Sequence, residues 1–132
     1  MKKTIGLDVG QKRIGVALTE GEIISPYGVI EASDLTQSIL EIGRIIREEN
    51  VDLIVIGIPK HKDTLQVDKI HKFALELVKA VNLPIEYQDE TLTSKESERI
   101  LATSKLDPKS QQYKQEVDKL SAKLILEQHL NQ

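Results

Sequence analysis

The 132-residue sequence has no cysteine and no tryptophan, one phenylalanine, one methionine and four prolines. Without cysteine there are no disulfides and no thiolate metal sites, so any metal must be held by oxygen or histidine, and a reducing compartment is compatible with the composition. Aromatic residues make up only 3% of the chain, which leaves few anchors for a subunit interface. A monomer or a weak homodimer is therefore expected. No apolar run approaches the roughly 20 residues that a membrane span needs. The stretch after Lys2 and Lys3 is soon broken by Asp8, Gln11, Lys12 and Arg13, so no export signal is read and a cytoplasmic location with no membrane contact is expected. A basic excess is also missing: 18 Lys and Arg stand against 21 Asp and Glu, a net charge of -3. Binding to a polyanion must then come from local patches, and the candidates are Lys12 with Arg13, Lys60 to Lys62, and Lys105 to Lys119.

What is present is ordinary for a globular domain, with 39% hydrophobic and 30% charged residues. The length suits a single domain over residues 1–132, large enough to bury a core. Residues 4–8, 13–18 and 22–30 read as three short strands joined through Gly10 and the stretch "TEGE". Connections this short join antiparallel neighbours, because a parallel return needs a crossover of about a dozen residues or more. The period then changes. Leu35, Ile39, Ile42 and Ile46 fall at helical spacing behind a cap at Ser33 or Asp34. "VDLIVIGI", residues 51–58, is a continuous β-branched run expected in a strand covered on both faces.

Val67, Ile70, Ala74, Leu77 and Val81 mark a second helix, and "LPIEYQDE" a further strand, so strand, helix and strand predict a parallel pair with a right-handed crossover. "TSKE" predicts a capping box in which Thr93 and Glu96 satisfy each other at the start of a third helix, and a last helix spans about 113–129. The sum is an α/β domain with a five-stranded mixed sheet, three antiparallel strands plus two parallel ones, flanked by helices. In open sheets of this kind ligands gather at the carboxyl ends of parallel strands.

Three carboxylates draw attention. Asp8 ends the first strand beside Gly10, where an aspartate can also serve the turn alone. Glu90 and Asp89 end the last strand, and alternation lets only one of them face a given side. If strands one, four and five are parallel neighbours, Asp8, the loop after Pro59 and Glu90 emerge at one edge. Asp118 lies four and seven residues before Ala122 and Ile125 on the final helix, a face shared with small and apolar residues. A solvent-reaching boundary position or an intrahelical pair with Lys114 or Lys119 would also account for it. Converging carboxylates raise one another's pKa unless a cation neutralises them, and hard oxygen donors suit Mg2+ or Mn2+. Such ions can stabilise both the attacking and the leaving oxygen at a phosphodiester.

"GLDVGQKRIGVAL", "IVIGIPK", "YQDETLTSKESE" and "VDKLSAKLILEQHL" together resemble the bacterial family of ribonuclease H-like proteins described as Holliday-junction resolvases or pre-16S rRNA nucleases. The resemblance covers nearly the whole chain in the right order. It implies a ribonuclease H-like fold and a metal-dependent endonuclease in which Asp8, Glu90 and Asp118 take the positions of the family's catalytic, metal-ligating acids. It implies structured RNA or branched DNA as partner, and work on the 5' end of pre-16S rRNA within a pre-ribosomal particle. Lys12, Arg13, Lys60, His61 and Lys62 would meet the phosphate backbone. The chain departs from the family pattern twice. "GIPKHKDTL" stands where the family reads like "GLPLNMDGT", and Thr91 replaces an arginine, removing a phosphate contact or an acid-orienting pair while Lys60 and Lys62 add positive charge.

Two rival classes share some of these features. An aspartate–glycine hairpin after a first strand also opens the ATPase domains of the actin and sugar-kinase kind, but those close over nucleotide with a second half that 132 residues are not expected to hold. A non-catalytic ribosome-assembly RNA-binding protein would explain the altered loop, though not the three retained acids.

Overall fold

The computed structural model describes residues 2–59, 64–90, 93–102 and 104–131, and the side chains of Thr64, Glu90, Thr93 and Ser94 lie outside that description. The elements follow the order β1 (Thr4–Val9), β2 (Arg13–Glu20), β3 (Ile23–Glu31), α1 (Leu35–Glu49), β4 (Leu53–Pro59), α2 (Thr64–Val81), β5 (Ile85–Glu90), α3 (Thr93–Leu101) and α4 (Gln111–Leu130). They build a five-stranded sheet of order β3-β2-β1-β4-β5. β1 pairs antiparallel with β2 and β2 with β3, while β4 runs parallel to both β1 and β5, as the connection lengths require.

Alternation along the strands divides the core into two layers. Ile5 and Leu7 of β1, Ile14, Val16 and Leu18 of β2, and Ile54 and Ile56 of β4 pack with Ile39, Ile42, Ile45 and Ile46 of α1 and Ile70, Phe73, Ala74 and Leu77 of α2. On the opposite face Ala17, Leu53 and Val55 pack with Ala122, Ile125 and Leu126 of α4. β4 contributes to both layers, which is why its sequence is apolar without alternation. Each fully buried aliphatic side chain contributes about 1.5–3 kcal/mol of burial free energy, so the larger layer dominates the stability of the fold.

The helix ends have local causes. Asp34 caps α1 by accepting from the Gln37 N–H at 3.1 Å, and Asn50 closes it in the left-handed region at φ 56°, its N–H donating back to carbonyls of the last turn. Ser110 caps α4 by accepting from the Tyr113 N–H at 3.1 Å. At the start of α3, Glu96 is engaged by the Arg99 guanidinium one turn later, which holds its carboxyl below the usual range, and the expected capping box falls on the Thr93 side chain, outside the described residues. Pro26 sits in β3, an edge strand, close to a register shift at Val16/Ala17, where a missing N–H is tolerated.

Candidate active site

The carboxyl ends of β1, β4 and β5 lie at one edge of the sheet, with Pro59 in register with Glu90. Asp8 is the fifth residue of β1 and the partner of Gly15 on β2. Because Ile5 and Leu7 face α1 and α2, alternation places Asp8 on the α4 face together with Gly6. Asp8 is half-buried.

Gly15 decides how near α4 comes to this position. A Cβ at Gly15 would overlap the carbonyl oxygen of Asp118 and lie 2.6 Å from its carbonyl carbon. At Gly6 a Cβ would meet Leu126 Cγ at 2.5 Å and the Ala122 carbonyl oxygen at 3.1 Å. Two glycines on the sheet and the small Ser121 and Ala122 on the helix thus let α4 lie directly on the strands. The backbone of Asp118 is seated on the residue that pairs with Asp8. The buried hydroxyls of Ser121 and Ser97 are 3.1 Å apart and join α3 to the same helix.

The Asp118 carboxylate is paired with Arg13 of β2, whose Nε donates to Oδ2 at 2.5 Å, and the two side chains keep only 20% and 22% of their exposure. Neither intrahelical partner considered for Asp118 is used: Lys119 pairs with Glu116 at 2.7 Å. Arg13 lies two residues before Gly15, so alternation delivers it to the α4 face, where the approach of α4 brings Asp118 to it. A concavity of about 250 Å³ lined by Gly10, Gln11, Lys12, Arg13 and Asp118 opens over the pair. Lys12 is exposed. Next to it, Lys114 of α4 lines a second concavity of about 240 Å³ with Lys12, Arg13, Glu31 and Gln111. On the other side of the turn Lys69 and Lys72 of α2 share a third, also about 240 Å³, with Gly10 and Gln11. These three lysines add to the basic residues singled out from sequence, and only Lys114 falls within a patch recognised there.

On β5, Gln88 is buried and Asp89 exposed. Glu86 and Gln88 meet His129 of α4, with Nε2 2.9 Å from Glu86 Oε1 and Nδ1 3.3 Å from Gln88 Oε1, whereas Tyr87 meets His71 of α2 edge-on. Position 90 is in phase with 86 and 88, and Asp89 with Tyr87. The Glu90 side chain itself, and Lys60, His61, Lys62 and Thr91, lie outside the described residues. Among the described residues no three His, Asp or Glu side chains form a metal-binding group. The donors available at this end of the sheet are carboxylate oxygens, the type that hard divalent cations take. Among the described residues no helix is long and apolar enough to cross a membrane.

Comparisons with known proteins agree with this architecture. Over 98% of the chain and 99% of the other, the fold matches the Fowlpox virus resolvase solved with Holliday junction DNA, at a TM-score of 0.52 and 14% identity. T. thermophilus RuvC in complex with its Holliday junction substrate matches over 99% of this chain and 96% of that one, at a TM-score of 0.64 and 10% identity. At such identities the likeness is one of fold: the mixed sheet and its helices are arranged as in T. thermophilus RuvC and the Fowlpox virus resolvase. In sequence, the chain is 42% identical to a protein of Crocosphaera subtropica named "Putative pre-16S rRNA nuclease", over 97% of this chain and 92% of the relative. The model of the RuvX family, described as Holliday junction resolvase, matches residues 2–132. With that match over almost its full length, the chain belongs to the RuvX family.

Proposed function

We propose that the protein is a metal-dependent endonuclease that hydrolyses phosphodiesters, acting on the 5' end of pre-16S rRNA. The observation that carries this reading is the seating of Asp118 on Gly15, the strand partner of Asp8, which assembles two carboxylates from distant parts of the chain on one face at the carboxyl end of β1. Glu90, at the adjoining end of β5 and in phase by alternation with the α4 face, would supply a third. Asp8, Glu90 and Asp118 would hold Mg2+ or Mn2+. When bound, such a cation supplies Lewis-acid stabilisation of charge on the phosphate oxygens.

The protein's own contribution is positional and electrostatic. Asp8 is fixed at a strand end, so its carboxylate is held by the sheet rather than by a loop. Asp118, half-buried on a rigid helix, would orient a water and accept its proton as that water attacks phosphorus, while the P–O bond to the leaving sugar oxygen breaks and that oxygen takes a proton from solvent. Lys12 and Arg13, with Lys60, His61 and Lys62 of the next loop, neutralise backbone phosphates on the approach to the carboxylates. The protein acts as a single domain over its 132 residues in the cytoplasm.

A second reading, resolution of four-way DNA junctions, is favoured by the family description and by the fold neighbours. A side-by-side assay of precursor 16S rRNA and a four-way DNA junction with Mg2+ or Mn2+ separates the two. Cleavage of the RNA with the junction left intact supports rRNA processing; symmetric nicking of the junction alone replaces it with the second reading.

A further inference from the structure

We propose that Arg13 is a built-in counter-ion that occupies Asp118 while no substrate is bound and yields it when a substrate phosphate arrives, so that Arg13 sets the affinity of the free site for a divalent cation. This rests on the nuclease reading and deepens it by assigning a control residue to the same site.

Four observations support it. Arg13 contacts Asp118 through Nε alone, and its terminal guanidinium nitrogens have no partner among the described residues. The pair borders a concavity of about 250 Å³ whose other walls are Gly10, Gln11 and Lys12, and Lys12 beside Arg13 makes it suited to an anion. Each partner retains about a fifth of its exposure, so solutes reach the pair. The Asp118 backbone is fixed against Gly15, so what can change is the side-chain torsion, not the position of the helix.

The chemistry follows from these contacts. Oδ2 cannot both accept the short Nε hydrogen bond and give its full charge to a cation, and a guanidinium held beside that cation repels it. A phosphate offers the planar fork a bidentate partner, which the single Nε contact does not. A phosphate in the concavity therefore draws Arg13 from Asp118, and the freed carboxylate binds the cation more tightly. By linkage the cation promotes phosphate binding to the same degree.

The test is direct titration of the purified, nucleic-acid-free protein with Mn2+, read by the electron paramagnetic resonance signal of free Mn2+. Arg13→Gln is expected to tighten Mn2+ binding about fivefold, the size of a largely buried but solvent-reachable ion pair released. Lys12→Gln, which removes a charge from the same concavity without touching Asp118, is expected to change it by less than about twofold. Adding Asp118→Asn to Arg13→Gln should abolish the gain. Arg13→Lys, which keeps the charge but loses the Nε donor, should fall between wild type and Arg13→Gln and carries the test if Arg13→Gln does not fold. Unchanged or weaker binding in the folded Arg13 variants overturns the proposal, as does an equal effect of Lys12→Gln, which would make Arg13 merely one more surface cation. If wild type binds Mn2+ and Asp8→Asn abolishes that binding while the Arg13 variants leave it unshifted, the counter-ion role falls and the nuclease reading stands. No Mn2+ binding by any of the proteins overturns both.

Discussion

At the scale of single residues, the proposed site rests on carboxylates whose packing role is small compared with their charge. Asp8 is half-buried at a strand end, so Asp8→Asn preserves its volume and much of its hydrogen bonding while removing its negative charge. Loss of cleavage by about a thousandfold or more is expected, with RNA affinity within a few-fold of wild type, as measured by single-turnover cleavage and fluorescence anisotropy on one RNA. A variant that cleaves normally would move the chemistry elsewhere; one that loses RNA binding and cleavage together would make Asp8 a binding or folding residue. Asp118 and Glu90 were legible in the sequence as acids in informative places, because both stand at an element end or on an apolar helix face. The partner of Asp118 was not. Arg13 and Asp118 are 105 residues apart, and only the tertiary approach of α4 to β2 brings them together, whereas the neighbouring lysines were visible on the helix itself. Choosing between Asp89 and Glu90 requires the register of β5: buried Gln88 puts position 90 in phase with the α4 face, and the Glu90 side chain itself lies outside the described residues.

At the scale of elements, α4 is the decisive piece, and glycines on the sheet determine its distance. Gly15→Ala meets backbone of α4, which cannot yield without displacing the helix, and a cost of about 3 kcal/mol or more is expected in urea unfolding, with activity lost alongside. Gly6→Ala meets mainly the Leu126 side chain, which can change rotamer, so about 1–2 kcal/mol is expected there. Equal costs at the two positions would contradict the close approach of α4 at Asp118. Asp34→Ala removes the cap of α1 far from the carboxylates and should lower stability by about 1 kcal/mol without changing the cleavage rate. Most elements were readable because period and turn chemistry agree with the final packing: isoleucines at helical spacing in α1, a two-face apolar run in β4, short antiparallel connections before it and a helical crossover after it. The capping box expected at α3 falls on the Thr93 side chain, outside the described residues, and its glutamate also lies one turn before Arg99, which engages it.

At the scale of the whole molecule, a chain with a net charge of -3 must bind a polyanion through a restricted region. The described lysines around the Gly10–Arg13 turn are Lys12, Lys69, Lys72 and Lys114, and they border three adjoining concavities near the carboxylates. Contacts to about four phosphates imply a log–log salt dependence of RNA affinity with a slope of about -3; a slope steeper than about -8 would require a footprint much larger than this end of the sheet. The central claim is that the sheet end bearing Asp8, Glu90 and Asp118 cleaves phosphodiesters with the help of a divalent cation. It is tested most directly by incubating the purified protein with precursor 16S rRNA in the presence of Mg2+ or Mn2+, then with excess chelator, and repeating both with Asp8→Asn and Asp118→Asn. Cleavage that needs the cation and is lost in both variants is the predicted result; cleavage that survives the chelator or either substitution would contradict it.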